Sequence, residues 1–531
     1  MSARFGQHLA RSVYEDHMKQ MACRKDPRWH CLAIPSWWYT STMDVFLDPE
    51  AGKPLAAQLY EQLRHAITGG RLQPGDQLVP TRQLAGELGV SRHTVTTAYG
   101  RLVAEGYAEG RAGGGSVVAS ASPAPPERVG AAAALRPRPR FAGWSPYFRP
   151  PPYGCRFDLR PGLPDPALFP AAQWRRQVSA AVAAENSLYG DPAGKIRLRR
   201  AIAGWVARSR SVAATEDTVV VTCGTQHAID LVTRILLEPG DCVVVEDPGY
   251  VPAIRLFEAL GMSVVGVPVD DQGLVVDLLP PSARLVYVTP SHQYPLGMTM
   301  SMPRRRALLR WAERHDAAII EDDYDTEFRY VDRPLEPLQA LDANGRVVYV
   351  GSFSKTFSPS VRLGFAVVPP PLAEPIAALR QLIDWHPPIA MQTALAGFIN
   401  DGLLDKHIRR SRRVYAERQH ILTEALSGPL ACHLTARSPN AGLHVAAMLR
   451  EGLDEKEVLQ AAARHGLVTS GLHDCFRSSP AQPGLLIGFG AVGTTGLPIA
   501  LRTLGRILAA QTTGQITAIR ADDPAPVEFV R

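Results

Sequence analysis

Residues 349–364 read Tyr-Val-Gly-Ser-Phe-Ser-Lys-Thr-Phe-Ser-Pro-Ser-Val-Arg-Leu-Gly. One lysine, Lys355, stands among Ser352, Ser354 and Ser358, with Arg362 seven residues further on. Small hydroxylated residues let backbone and side chain close on a phosphate, and an arginine can meet that phosphate through two N–H bonds at once. A lysine held beside a phosphorylated aldehyde is how a Schiff base to pyridoxal 5′-phosphate (PLP) is arranged. Alone, the segment also fits an ordinary Ser-rich loop. It has company upstream, where Ala317-Ala-Ile-Ile-Glu-Asp-Asp-Tyr-Asp325 reads as a short buried strand ending in carboxylates. Such a strand end is where a sheet would present an acid to the pyridine nitrogen.

Other segments fall into the same chemistry. Thr222-Cys-Gly-Thr-Gln226 follows a strand and opens a helix over His227–Leu236, so its backbone amides and the Thr225 hydroxyl form an anion site at a helix N-terminus. Tyr250, in Glu246-Asp-Pro-Gly-Tyr250, comes at the end of the next strand with a ring able to stack on a pyridine. Asp322 can pair with the ring nitrogen and keep it protonated, and Tyr324 can reach the phenolic oxygen. Each feature has a plainer reading: a turn with a half-buried tyrosine, a helix-capping aspartate, a Gly-Thr pair that merely starts a helix. The order in which they occur, all at strand ends, favours a ligand site in a parallel α/β sheet.

The elements that must hold these groups follow from the pattern of the chain. From about residue 151, short Val/Ile-rich runs alternate with longer helical patterns: 218–222, 242–246, 263–268, 285–289, 318–322 and 347–350. Strands alternating with helices predict a mainly parallel sheet covered on both faces, an α/β fold. A chain of 531 residues exceeds one ordinary core, and 46% apolar with 20% charged residues is a soluble globular balance. A net charge of +6 does not by itself announce nucleic acid. Seven cysteines without a CxxC pair argue against a zinc site and a disulfide framework, so no metal is expected and a reducing cytoplasm is. No apolar run reaches the roughly 18 residues of a membrane span.

The N-terminal part is organised differently. Leu55, Leu59, Leu63 and Ile67 recur one turn apart and predict an amphipathic helix, ended by Gly69-Gly-Arg-Leu-Gln-Pro-Gly75. A short helix follows over 81–89 with Thr81 as its expected N-cap, then a helix opened by Ser91 and carrying Arg92, His93 and Thr94 in its first turn. Two short strands about a Gly-rich tip, 106–118, complete a helix-turn-helix with a wing, in which the first turn of the second helix faces base edges and phosphates. The near-neutral charge of this module also suits a three-helix interaction domain. Residues 1–43 show no clear periodicity and read as an unstructured extension, with Met43 as a possible start. Residues 119–150, with seven prolines, eight alanines and five arginines against one glutamate, read as a semi-rigid basic linker. Residues 151–511 form the large domain, and 512–531 read as a disordered tail.

Residues 54–118 closely resemble the winged helix-turn-helix of GntR-superfamily regulators. By that resemblance Arg82, Arg92 and Thr94 contact DNA, with Ser91, His93, Thr96 and Gly114 beside them. Leu78-Val-Pro-Thr-Arg82 departs from the usual Leu-Pro-Ser-Thr-Arg of that superfamily. Residues 153–510 resemble fold-type I aminotransferases, through Tyr189-Gly-Asp-Pro-Ala-Gly194, Gly224-Thr-Gln, Pro248-Gly-Tyr, Thr289-Pro-Ser-His-Gln293, Glu321-Asp-Asp-Tyr and Ser352-Phe-Ser-Lys. The fusion of the two is that of MocR-type regulators. The resemblance implies PLP on Lys355, with Asp322 on the ring nitrogen, Tyr324 on the phenolic oxygen and Tyr250 stacked. Gly224, Thr225, Gln226, Ser352, Ser354 and Arg362 would gather the phosphate, and Tyr189 would reach across a dimer interface.

Two departures bear on the amino-acid pocket. Tyr294 precedes Pro295 where aminotransferases commonly carry Asn, and Leu486, in Gly484–Gly490, stands where they carry a carboxylate-binding arginine. Arg477, nearby in sequence, is the candidate to substitute for that arginine, and His444 and His473 are candidates to line a pocket. The resulting expectation is a cytoplasmic, homodimeric, PLP-dependent regulator of transcription. It would bind an operator in double-stranded DNA under the control of a small amine or amino-acid effector, or of PLP itself. A working aminotransferase that carries a DNA-binding head, and a regulator whose large domain only dimerises, remain the alternatives.

Overall fold

The computed structural model describes residues 45–49, 52–111, 115–119, 136–141, 144–185, 188–330, 335–437 and 441–512. The expectations for Gly114, Met43, the 1–43 extension, most of the linker and the tail beyond 512 lie outside these residues. Two compact units divide the chain, Met1–Arg136 and Pro137–Arg531.

In the first unit, α1 (Leu55–Thr68) buries Leu59, Tyr60, Leu63, Ala66 and Ile67, the face its spacing predicts. It packs on α2 (Thr81–Glu87) through Leu84 and Ala85, and on α3 (Arg92–Ala104) through Val95, Ala98, Tyr99 and Leu102. Each of the leucine, isoleucine and valine side chains contributes roughly 1.5–3 kcal/mol on full burial, which lets a module this small hold together. The cap expected at Thr81 is displaced by one residue. Pro80 occupies the N-cap position in extended backbone, Thr81 is already helical, and no side chain caps α2. Ser91 does cap α3, its Oγ accepting from the Thr94 amide at 3.1 Å. Strands β1 (Ala108–Arg111) and β2 (Gly115–Val118) pair antiparallel from Ala108↔Val118 to Arg111↔Gly115, which is the wing.

The second unit is built on β3 (Val219–Thr222), β4 (Cys242–Asp247), β5 (Ser263–Asp270), β6 (Gly273–Leu274), β7 (Ala283–Val288), β8 (Ala318–Asp323), β9 (Val347–Ser352) and β10 (Gly364–Val367). They form one sheet in the order β3-β10-β9-β8-β7-β4-β5-β6. The pairs from β9 through β5 are parallel, and β10 runs antiparallel to both its neighbours. Val219–Val221, Val243–Val245, Val286, Ile319, Ile320, Val348 and Val350 are buried on both faces, the apolar runs of a sheet covered by helices. The six strands read from the sequence lie within two residues of their expected bounds. β10 escaped the sequence reading because it is only four residues long and begins with Gly.

A smaller antiparallel sheet, β11 (Leu434–Arg437), β12 (His444–Leu449), β13 (Ser470–Gly471) and β14 (Gly484–Gly488), runs in the order β11-β12-β14-β13. Val445, Ala447, Leu485 and Ile487 of β12 and β14 pack against Leu501, Leu504 and Leu508 of a C-terminal helix, Leu497–Thr512. No helix among the described residues is long and apolar enough to cross a membrane.

Candidate functional site

The C-terminal ends of β3, β4, β7, β8 and β9 converge on a cavity of about 570 Å³, within the range of roughly 300–1,000 Å³ common for small-molecule sites. Lys355 lines it from the short helix Phe353–Thr356, which starts where β9 ends. Ser352 caps that turn, its Oγ accepting from the Ser354 amide at 3.1 Å. The lysine is enclosed so closely that a Cβ on Gly162, which has φ +71°, would lie 2.9 Å from Nζ. Burial lowers the Lys355 pKa, while Asp325 and Asp322 pull the other way. A lysine with a lowered pKa reaches the neutral, nucleophilic amine more readily.

Asp322, at the end of β8, is 3% exposed. Its Oδ2 accepts from the Tyr287 hydroxyl at 2.7 Å, and its Oδ1 is buried with no partner. Burial first, then Asp323 and Asp325, push its pKa up to about 7 despite the Tyr287 hydrogen bond. A buried carboxylate oxygen left unpaired is costly unless a cation or an N–H donor reaches it. The neighbouring Asp323 takes a different part: Arg210 Nε and the Tyr349 hydroxyl each donate to it at 2.7 Å, which makes it scaffold. Glu246 on β4 is buried, accepts from Thr289 Oγ1 at 2.6 Å and is pushed up to about 7 by burial.

Gly224, Thr225, Gln226, Ser352, Ser354 and Arg362 line one part of the cavity together. Gly224 has φ +91° at the N-cap of the helix Thr225–Leu236, a conformation that favours glycine. The position lies against the Arg362 guanidinium, whose nearest nitrogen would be 3.6 Å from an added Cβ, an ordinary contact. Arg362 itself has φ 54°, and its Nη2 donates to the Cys223 carbonyl at 2.7 Å. Backbone amides at a helix start, three hydroxyls and a guanidinium form a built anion site.

Tyr250 and Tyr324 also line the cavity. Tyr324 holds a partner that sequence reasoning missed: its hydroxyl lies 3.0 Å from His292 Nδ1, which in turn is 2.9 Å from Asp325 Oδ1. The carboxylate can only accept, so Nδ1 carries the proton. The signal was present in Thr289-Pro-Ser-His-Gln293, but the contact with Asp325 spans 33 positions. Tyr189 is not at this cavity; it is 77% exposed and stacks on Trp385 at 4.5 Å.

Of the pocket candidates, only His444 lines the cavity. Arg477 is turned to Glu258, with Nη1 2.6 Å from Oε1, and His473 is exposed. Leu486 is fully buried in β14 against Val251, Tyr294, Ala446, Leu472 and Cys475. Residues 145–148, from the segment read as linker, line the cavity too. This strap is tied down by Arg160, whose guanidinium lies 4.2 Å from the Phe148 ring centre and donates to the Arg149 carbonyl at 2.5 Å.

Cys223, His227 and Asp384 bring ligand-type atoms within 4.8 Å of one another. His227 Nδ1 accepts from the Cys223 amide at 3.2 Å, which leaves the proton on Nε2, and Arg380 Nη2 lies 3.3 Å from Asp384 Oδ2. A protonated nitrogen and a guanidinium there suit a hydrogen-bonded cluster rather than a cation.

In the first unit, Arg82, Ser91, Arg92, His93 and Thr96 are exposed and Thr94 is half-buried. Thr96 Oγ1 donates to the Arg92 carbonyl at 2.6 Å, and Thr94 Oγ1 lies 2.9 Å from Ser91 Oγ, so both hydroxyls are partly occupied by their own helix. Arg92 lies across from α2, its Nε 3.5 Å from Thr81 Oγ1.

Known proteins share both halves. Residues 55–118 match the bacterial regulatory proteins of the gntR family, and residues 164–482 match aminotransferase class I and II. The chain is similar to the probable rhizopine catabolism regulatory protein MocR of Rhizobium meliloti, 38% identical across 90% of this chain and 98% of that one. It is similar to the HTH-type pyridoxine biosynthesis transcriptional regulator PdxR of Corynebacterium glutamicum, 34% identical across 85% of this chain and 95% of that one. Among solved structures, an archaeal alanine:glyoxylate aminotransferase superposes with a TM-score of 0.63 at 29% identity, over 66% of this chain and 90% of its own.

Proposed function

This chain belongs to the MocR-type transcriptional regulators, a GntR-type head fused to an aminotransferase-like body, and we propose that its body holds PLP on Lys355 and makes DNA binding answer to a small ligand. The observation that carries this reading is the convergence of Lys355, Asp322 and a built anion site on one cavity. The residues suit the group. Asp322 Oδ1 is a buried acceptor without a donor, which a protonated pyridine nitrogen would supply. Gly162 leaves the space beside Lys355 that a side chain would fill, an added Cβ falling 2.9 Å from Nζ. When bound, PLP supplies an aldehyde that an amine captures reversibly.

Each residue then has a task. Lys355 provides the amine; Asp322 keeps the ring nitrogen protonated; Tyr250 stacks; Thr225, Ser352, Ser354 and Arg362 hold phosphate. Tyr324 offers its hydroxyl to the phenolic oxygen, held in place by His292 and Asp325. In the head, Arg82, Arg92, His93 and Thr94 read or position DNA, and the operator would be met by two heads. Leu188, Tyr189, Leu382, Ile383 and Trp385 are exposed apolar residues of the body, a surface suited to a second copy and to a homodimer. The strap 144–150, which leads back toward the head in sequence, is the part of the body that a ligand in the cavity would press on. A bacterial regulator that binds chromosomal DNA works in the cytoplasm, where that DNA lies.

The test uses purified full-length protein. It should be yellow with PLP, and borohydride should trap the cofactor on the peptide containing Lys355. It should protect a site in the DNA flanking its own gene, with an affinity that changes on ligand addition. Light scattering should give a dimer mass at micromolar concentration. Repeated turnover with an amino acid and a 2-oxo acid, at about 1 s⁻¹ or faster, would instead make it a working aminotransferase.

A further inference from the structure

Three observations about the inner cavity concern what kind of ligand it accepts. Its basic lining residues are Lys355, Arg362, Arg160 and Arg255. Arg362 belongs to the anion site, and Arg160 is held by Asp158 through Nε at 2.8 Å and Nη2 at 2.5 Å. Arg255 is exposed on the helix Val251–Leu260, and neither it nor Arg362 is among the charges that act on Lys355. Around Lys355 the charged neighbours are Asp322 and Asp325, both carboxylates. A carboxylate brought in beside an amine at that point would find no cation but the lysine itself, and burying it unpaired is costly.

The wall beyond is apolar in its backing. Leu486, paired in register with Ala446 and with Ser470, packs with Val251, Leu472 and Cys475 and carries no charge to the cavity.

His444 supplies the third observation. It is 2% exposed, lines the cavity, and its Nε2 lies 3.1 Å from the Pro295 carbonyl. A carbonyl only accepts, so Nε2 carries the proton and Nδ1 is a lone-pair acceptor, and Nδ1 is buried with no partner. Burial, with His292 and Lys355 nearby, lowers the ring's pKa to about 4, so it remains neutral and accepting at physiological pH.

We infer that the effector of this cavity is a primary amine with no carboxylate on its nitrogen-bearing carbon, and that it presents a hydroxyl or similar donor to His444. This rests on the PLP-holding reading above and names the ligand class of that same site. The amine sits beside Lys355, the donor satisfies His444 Nδ1, and the neutral phenols of Tyr250, Tyr294 and Tyr324 face the remainder.

The experiment titrates PLP-loaded full-length protein with matched pairs that differ only by the carboxylate: ethanolamine against serine, tyramine against tyrosine. Cofactor absorbance and operator affinity are both read. Each amine should bind at least tenfold more tightly than its amino acid; an amino acid that binds as tightly as its amine, or more tightly, overturns the inference. His444→Phe should weaken ethanolamine at least tenfold and leave propylamine unchanged, with His444→Asn restoring part of the loss. Equal effects on ethanolamine and propylamine, or no effect on either, would remove His444 from the specificity. Protein that never takes up PLP fails the reading of function itself, a separate result visible before any titration.

Discussion

The head and the body of this protein build their working surfaces in opposite ways. In the head, the DNA-facing candidates come from two adjacent helices, Arg82 from α2 and Arg92, His93, Thr94 and Thr96 from α3 with Ser91 as its cap, and all but Thr94 are exposed. In the body, the working groups come from segments as far apart in sequence as Gly162 and His444, and the central ones, Asp322 and His444, are buried. A surface made from two neighbouring helices of one small module needs only that those helices form and be held. A buried site needs the whole sheet in register before any of its groups meet. The head should therefore tolerate loss of a single contact in graded steps, whereas the body should lose its chemistry outright when its central group is removed.

The largest expected effect tests the body. Lys355→Ala should abolish the absorbance of lysine-bound PLP and all borohydride trapping, while leaving binding to random DNA by the head intact. If random-DNA binding collapses as well, the two halves are not separable in the way described.

Next comes the pH dependence of the cofactor-free body. Asp322 and Glu246 are each raised to about 7 by burial, whereas unfolded carboxyls titrate near about 4. Between roughly pH 4 and pH 7 the folded chain holds protons that the unfolded chain has released, so stability falls as pH rises through that window. Thermal unfolding of PLP-free protein should show a Tm that declines from pH 5 to pH 7. Asp322→Asn should flatten the slope, and PLP should raise Tm most at the upper end. His444 and His407, both lowered to about 4, pull the slope the other way, so an Asp322→Asn slope equal to that of the unaltered protein is the result that contradicts a raised Asp322.

Smaller effects belong to the head. Arg92→Ala should weaken specific binding by roughly 1–3 kcal/mol, the cost of one good base contact, without altering the PLP spectrum. Competition between operator and random duplexes measures it, and an equal loss on both would make Arg92 a phosphate contact instead. Ser91→Ala, which removes the cap on α3, should cost about 1 kcal/mol of head stability. Circular dichroism of the variant reads that loss.

Much of this was legible in the sequence because it is local. Leu55, Leu59, Leu63 and Ile67 announce one buried helix face, and the runs of Val and Ile announce strands covered on both sides. Motifs such as Gly224-Thr-Gln and Ser352-Phe-Ser-Lys carry their chemistry within a few residues, as the cap of Ser352 on Ser354 shows. The cap at Thr81 was misplaced by one position because an extended Pro80 at the boundary reads like either neighbour.

What only the tertiary structure decided is which long-range neighbours each group has. Sequence gave Asp322 a role, but its unpaired Oδ1 follows from Tyr287 on the next strand taking the other oxygen. It named His444 only as a residue to line a pocket; the Pro295 carbonyl, 149 positions away, fixes the proton on Nε2 and leaves Nδ1 to accept. It set Arg477 beside the pocket, and Glu258 draws it elsewhere. Residue type and spacing determine the elements and the chemistry they offer, since helix faces, strand ends and caps are short-range. Burial and hydrogen-bond partners, which set protonation and hence what the site will bind, exist only once distant strands are side by side.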